Sequence, residues 1–165
     1  FPHEIKYYFD FIPYLYSEYL KAALNEEMMF KPLSFDFPED DMAKQVDDQL
    51  LLGNEIMIAP VYKQNAQGRY VYLPEEMIKV SMKSCENVIT ETLSKGHHYV
   101  SADLDELVFF IRKDRAIPFG KPVKNTSEVD LSTLKLIGFD GYQYELYYDD
   151  GYSTVPEDSL KKTVL

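Results

Sequence analysis

The chain has no tryptophan, one cysteine, three histidines and seven glycines in 165 residues, and each scarcity removes a class of function. Cys85 alone cannot close an internal disulfide, which fits a reducing compartment; a cytoplasmic location is expected. His97 and His98 are chain neighbours that point to opposite faces of a strand, and His3 is remote, so no metal site is expected. The glycines do not fall at the spacings of a phosphate loop or a dinucleotide fold, and no cofactor is expected. No Gly-x-Ser-x-Gly elbow supports a serine nucleophile. Positive charge is also short: 17 basic residues face 28 acidic ones, a net charge of -11 that repels phosphate backbones and anionic lipid headgroups. Neither nucleic acid nor a membrane surface is an expected partner. No apolar run approaches the roughly 20 residues of a membrane helix, and Phe1-Pro2-His3-Glu4 has neither the basic region nor the apolar core of a signal peptide.

What is present is a globular composition, 45% hydrophobic, with helical periodicity at one end and extended periodicity in the rest. Residues 4–25 predict a helix whose apolar stripe is Ile5, Tyr8, Phe9, Ile12, Leu15, Tyr16, Tyr19, Leu20, Ala23 and Leu24. Pro13 predicts a kink or a second helix starting near Ile12, and Asn25 a stop. Met28 to Phe37 predicts one short strand, buried or at an edge, and Glu39-Asp40-Asp41 caps a short helix running to about Leu51, ended by Gly53. From Glu55 the period becomes extended. Strands are predicted at Ile56–Tyr62, Arg69–Leu73, Met77–Met82, Asn87–Leu93, His98–Leu104 and Leu107–Arg112, a β-sandwich or barrel pattern. A linker follows at Gly120–Val129, and Asp140-Gly141 predicts a hairpin joining Leu134–Phe139 to Tyr142–Tyr148, with Tyr142, Tyr144, Leu146 and Tyr148 on one face.

Acidic pairs are frequent: Asp40-Asp41, Asp47-Asp48, Asp103 with Asp105, and Asp149-Asp150. Retaining glycoside hydrolysis needs two carboxyl groups about 5–5.5 Å apart across one sugar, and sequence neighbours diverge, so these pairs read as caps and solvated faces. Asp149-Asp150-Gly151 reads as a turn after the last strand. The 14 tyrosines and 10 phenylalanines invite a sugar-stacking reading, but alternating aromatics more often form a core or cross-strand pairs, and the lack of tryptophan counts against a dedicated platform.

Several motifs in fixed order carry a family resemblance. They are Pro13-Tyr14-Leu15-Tyr16; Lys31-Pro32-Leu33 with Phe37-Pro38-Glu39-Asp40; Asp47-Asp48-Gln49 and Gly53; Ile58-Ala59-Pro60-Val61; Val71-Tyr72-Leu73-Pro74; Phe110-Ile111-Arg112 with Ile117-Pro118; and Leu146-Tyr147-Tyr148-Asp149-Asp150-Gly151. Together they resemble the C-terminal portion of glycoside hydrolase family 31, the α-glucosidases and their relatives. Lys31 stands where that family usually has arginine, Glu75-Glu76-Met77-Ile78 where it often has an aromatic Trp-Tyr segment, and Arg112-Lys113-Asp114-Arg115 lacks the glycine usual in that turn.

The resemblance implies an α+β fold, mainly β: N-terminal helices and one strand from the end of a (β/α)8 barrel, then an antiparallel β-sandwich and a terminal hairpin. It implies residues 1–54 as the barrel remnant, 55–120 as the proximal sandwich, and 121–165 as a linker and a reduced distal domain. It further implies a parent that is a retaining α-glucosidase, releasing terminal α-linked glucose from oligosaccharides, whose catalytic aspartates lie upstream; the start on Phe1 suits an excised segment. No catalytic residue is therefore expected here. Phe35, Asp36 and Phe37, at the end of the last barrel strand, are the candidate pocket rim. The expected partners are the rest of the chain's own barrel and, in the whole enzyme, the oligosaccharide. Self-association is expected through the apolar stripe Ile5, Tyr8, Ile12, Leu15 and Tyr19. A non-catalytic carbohydrate-binding module and a structural or oligomerising β-sandwich are the alternatives.

Overall fold

A computed structural model of the chain describes residues 4–84, 87–120, 130, 133–150 and 159–165. In chain order its elements are helix α1 (Glu4–Asn25), strand β1 (Phe30–Pro32), the short helix α2 (Leu33–Asp36), a 3-10 turn (Ala43–Gln45), β2 (Leu50–Leu52), β3 (Ile56–Ile58), β4 (Gly68–Leu73) and β5 (Met77–Ser84). They continue with β6 (Asn87–Leu93), β7 (Gly96–Ser101), β8 (Leu107–Arg112), β9 (Ala116–Phe119), β10 (Lys135–Gly138), β11 (Glu145–Tyr148) and β12 (Lys161–Val164). The fold is mainly β, in antiparallel sheets. Contacts divide the chain into two compact units, Phe30–Asp114 and Phe1–Met29 with Arg115–Leu165. Their limits differ from those drawn on the sequence at residues 54 and 120.

The unit Phe30–Asp114 is a sandwich. One layer is a six-stranded sheet in the order β1-β2-β3-β8-β5-β6, and the other is the pair β4-β7. Alternation decides what faces inward: Val71 and Leu73 of β4 and Val100 of β7 pack with Leu51, Met57, Met77 and Phe110 of the larger sheet. Leu33 and Ala43 join this core, which explains two departures from the sequence reading. The strand predicted over Met28 to Phe37 stops at Pro32, and the chain coils into α2, which delivers Leu33 inward at 0% exposure. The helix predicted through Leu51 is only the turn Ala43–Gln45, because Leu50–Leu52 is taken up as β2, paired with β1 on one side and β3 on the other. The N-cap position of that turn is Met42, and Asp40, two residues before it, accepts through Oδ1 from the amides of Met42 at 3.0 Å and Ala43 at 3.2 Å.

Gly53 ends no helix; with a φ of 65° it opens the tight loop between Leu52 and its register partner Ile56. The strand predicted to Tyr62 stops at Ile58, and β7 begins two residues earlier than predicted, at Gly96, and ends at Ser101. β6 and β8 fall on their predicted limits.

In the other unit, α1 covers its predicted span and runs through Pro13, so no second helix starts near Ile12. The buried face of its described side chains differs from the apolar stripe. Phe11, Tyr14, Ser17, Glu18 and Leu20 are buried, whereas Tyr16 and Tyr19 are 38% and 57% exposed. The polar members are buried because β11 and its approach satisfy them. The Tyr144 hydroxyl donates to Glu18 Oε1 at 2.7 Å, and the Tyr147 amide to Ser17 Oγ at 2.9 Å. Lys21 completes the arrangement, 2.8 Å from Glu18 and 4.0 Å above the Tyr144 ring.

The predicted hairpin across Asp140-Gly141 does not form. β10 pairs with β9 and β11 with β12. A type I′ turn needs positive φ at both central residues; only Gly141 has it, at 80°, so the chain turns without bringing its flanks together. Ile117-Pro118, named among the family motifs, lies in β9 and pairs with β10. Tyr144 and Leu146 are buried on one face as predicted, while Tyr142 is 42% exposed. The linker lies, except for Gly120, outside the described residues, as do Cys85, His3 and Gly151.

Candidate functional site

α2 brings Asp36 back over β1, where Lys31 Nζ sits 3.0 Å from its carboxylate. Arg112, the last residue of β8, makes a second ion pair to Asp36 through Nη1 and a third to Glu75 Oε1 through Nε at 3.0 Å. The guanidinium lies 4.8 Å from the centre of the Phe37 ring, and Lys31 also donates to Asn54 Oδ1 at 2.9 Å. Burial of Asp36 pulls its pKa upward, but the hydrogen bonds from Lys31 and Arg112 outweigh that cost and hold it below the ordinary value. Glu75 occupies the place where the resemblance led one to expect an aromatic segment, and here it serves as the outer anchor of Arg112.

A turn closed by the Asp40 amide on the Phe37 carbonyl at 3.1 Å leads to a second cluster. Asp40 Oδ2 accepts from the Tyr72 hydroxyl at 2.7 Å and from Lys95 Nζ at 2.5 Å. The bond from Lys95, against the cost of desolvation and with help from Tyr72 and the Ala43 amide, holds the Asp40 carboxyl well below the usual carboxylate range. Burial and the same carboxylate push the Tyr72 phenol up. Between the clusters lies a surface depression of about 330 Å³ lined by Asp36, Phe37, Pro38, Glu39, Asp40, Pro74 and Lys95.

Two of the three rim residues read from the sequence, Asp36 and Phe37, line this depression; Phe35 does not, and its side chain is 60% exposed. Both well-placed carboxylates are committed to cations. Low pKa values suit them to hold charge, not to donate a proton. Sequence reasoning missed Tyr72, Lys95 and Arg112 as their partners because the three come from β4, the β6–β7 turn and β8, which only folding brings together.

The Asp47-Asp48-Gln49 motif has a structural explanation. Gln49 is 2% exposed and its amide bridges the backbone of Tyr72, donating to the carbonyl and accepting from the N–H, each at 2.8 Å. One side chain thus replaces a neighbouring strand. Asp48 pairs with Arg69 Nη2 at 2.5 Å, and Arg69 Nη1 donates to the carbonyls of Asp48 and Pro60. His97 and His98 have separate roles: His97 packs on Tyr72 with ring centres 5.0 Å apart, and His98 Nε2 lies 2.7 Å from the Ser94 carbonyl.

Comparison with known proteins places the chain in a family. A family model described as the glycosyl hydrolase family 31 C-terminal domain matches residues 26–117. The chain is 28% identical over 151 residues to alpha-glucosidase 2 of Bacillus thermoamyloliquefaciens, covering 89% of this chain and 18% of that protein. It is 30% identical over 157 residues to the lysosomal alpha-glucosidase of Bos taurus, covering 86% and 17%. To the alpha-xylosidase of Saccharolobus solfataricus it is 30% identical over 151 residues, covering 89% and 20%. Among solved structures, the family 31 dextranase of Flavobacterium johnsoniae in complex with glucose superposes with a TM-score of 0.79 at 26% identity, over 97% of this chain and 20% of that one. The chain therefore spans about a fifth or less of the length of these relatives. Since the matched domain takes in more than half of the residues, the chain belongs to glycoside hydrolase family 31.

Proposed function

We propose that the chain is the C-terminal part of a retaining α-glucosidase and that, by itself, it supports the catalytic barrel without catalysing. One observation carries this reading: of the three carboxylates that line the depression, Asp36 and Asp40, the two engaged by neighbouring cations, are each held in the ionised form by a lysine and a second donor. Retaining hydrolysis needs one carboxyl with a raised pKa to protonate the leaving oxygen, facing a second that attacks the anomeric carbon. Both of these are pushed the other way. Support for the α-glucoside substrate comes from the relatives named as alpha-glucosidases. The partner proposed for the chain is the remainder of its own barrel, and the proposed compartment is the cytoplasm.

Incubating the purified chain with an aryl α-glucoside, an aryl α-xyloside and maltose tests the reading. No turnover above the buffer rate is expected at high protein concentration. Joining the chain to its upstream catalytic part is expected to give α-glucosidase activity. Hydrolysis by the chain alone, or a joined enzyme that cleaves only the xyloside, would overturn the proposal.

A further inference from the structure

The pair β4–β7 has an inner face in the sandwich core and an outer face of a different kind. On the outer side, Tyr70 stands directly across from Tyr99, and two register positions along Tyr72, itself buried, stands across from His97. The first pair is an edge-to-face contact with ring centres 5.3 Å apart. A cross-strand aromatic contact accounts for their mutual packing, but Tyr70 and Tyr99 remain 71% and 60% exposed, so most of each ring is left to water. Their neighbours Val71 and Val100 on the inner side are buried, so the two tyrosines lie opposite the core by register and not by fraying. Gly68 adds a second feature. A β-carbon there would meet the Val100 carbonyl oxygen at 2.4 Å and the Ser101 α-carbon at 2.8 Å, so glycine lets the two strands approach closely at this end, beside the Tyr99 hydroxyl.

We infer that this outer face of β4–β7 binds a neutral α-glucan, with Tyr70 and Tyr99 as the stacking residues. A pyranose offers two chemistries at once, an apolar C–H face and a rim of hydroxyls. The exposed ring surface meets the first, and the phenol hydroxyls with the exposed imidazole of His97 meet the second. Charge selects among ligands. With a net charge of -11 the chain disfavours anionic polymers, and the stripe itself presents no free carboxylate for a cationic peptide, because Asp40 at its end is taken up by Lys95 and Tyr72. An uncharged polysaccharide meets both chemistries without requiring a charge of either sign, and its α-glucan identity rests on the α-glucosidase reading above.

Affinity electrophoresis of the native chain in gels containing dextran, soluble starch or a soluble β-glucan tests the inference. Slower migration is expected in dextran or starch, and not in the β-glucan. Tyr70→Thr and Tyr99→Thr, which keep strand propensity, should each weaken retardation about threefold to tenfold, and Tyr70→Phe should stay within about twofold. Should a threonine variant fail to fold, amide shifts of the unmodified chain titrated with maltotetraose decide: changes centred on β4 and β7 support the site, and changes elsewhere overturn it. Unretarded wild type, equal retardation of the double threonine variant, or retention by the β-glucan would each overturn it too. Such a failure leaves the hydrolase reading standing, because that reading falls only on turnover by the isolated chain or on the specificity of the joined enzyme.

Discussion

Gln49 shows how much one side chain contributes when it takes the place of a strand. Both its bonds to Tyr72 are buried, so Gln49→Ala strands an N–H and a C=O together, and a loss of about 2–4 kcal/mol in urea unfolding is expected. Asp36 acts differently, because it is shared by two cations that are themselves only 13% and 14% exposed. Asp36→Asn leaves both facing a neutral amide, and a cost of about 1–3 kcal/mol is expected. The pH dependence follows in sign. The folded pKa lies below the ordinary 3.8, so the contribution is complete above that value and is lost as pH falls through the folded one. Urea midpoints measured from about pH 5 downward should drop more steeply for the wild type than for Asp36→Asn. Tyr16 gives the opposite sign: burial and its bond to Asp149 at 2.7 Å push its phenol up to about 12. Its stabilisation holds below the ordinary 10.0 and fades as pH climbs to the folded value, and Tyr16→Phe should remove one late phenolate from the ultraviolet titration.

The end of α1 carries a test at the scale of elements. Glu26 follows Asn25 with a φ of 54°, and the Glu27 amide donates to the Ala22 carbonyl at 2.9 Å, the wrap-around bond of a Schellman cap. The position suits glycine, and a carboxylate beside the helix C-terminus opposes the macrodipole. Glu26→Gly is therefore expected to stabilise the chain by about 0.5–1 kcal/mol, read as a higher urea midpoint. Elements differ in how far the sequence displays them. β6 and β8 were legible to the residue because each is a β-rich run bounded by turn residues, Lys95-Gly96 after β6 and Asp105-Glu106 before β8. β1 with α2 was not, because Lys31-Pro32-Leu33 has the composition of an edge strand and only the core vacancy filled by Leu33 bends the chain into a helix.

Across the whole molecule, the exposed apolar side chains include Tyr19, Met28, Phe30, Phe35 and Leu104 at between 49% and 99% exposure. Single exposed apolar side chains are ordinary on a soluble chain, and these are available for burial against the rest of the proposed enzyme or a second copy of the chain. Sedimentation at rising concentration should give an increasing average mass, more steeply near the isoelectric value of about 4.7, where the mutual repulsion of the chains vanishes. A strictly monomeric chain at both pH values would count against the self-association proposed here.

The sequence by itself determined the mainly-β class, the long first helix, most strands and the family, because periodicity, turn residues and ordered motifs are all local properties of the chain. For the candidate site it offered Phe35, Asp36 and Phe37, through the resemblance alone, and of these Asp36 and Phe37 border the surface depression. Tertiary structure decided the rest. Which face of α1 is buried, why β11 pairs with β12 and not with β10, and how Lys31, Glu75 and Arg112 converge with Asp36 all depend on contacts between residues far apart in the chain. No local pattern encodes such a contact, since its free energy exists only once both partners have been brought together and dried.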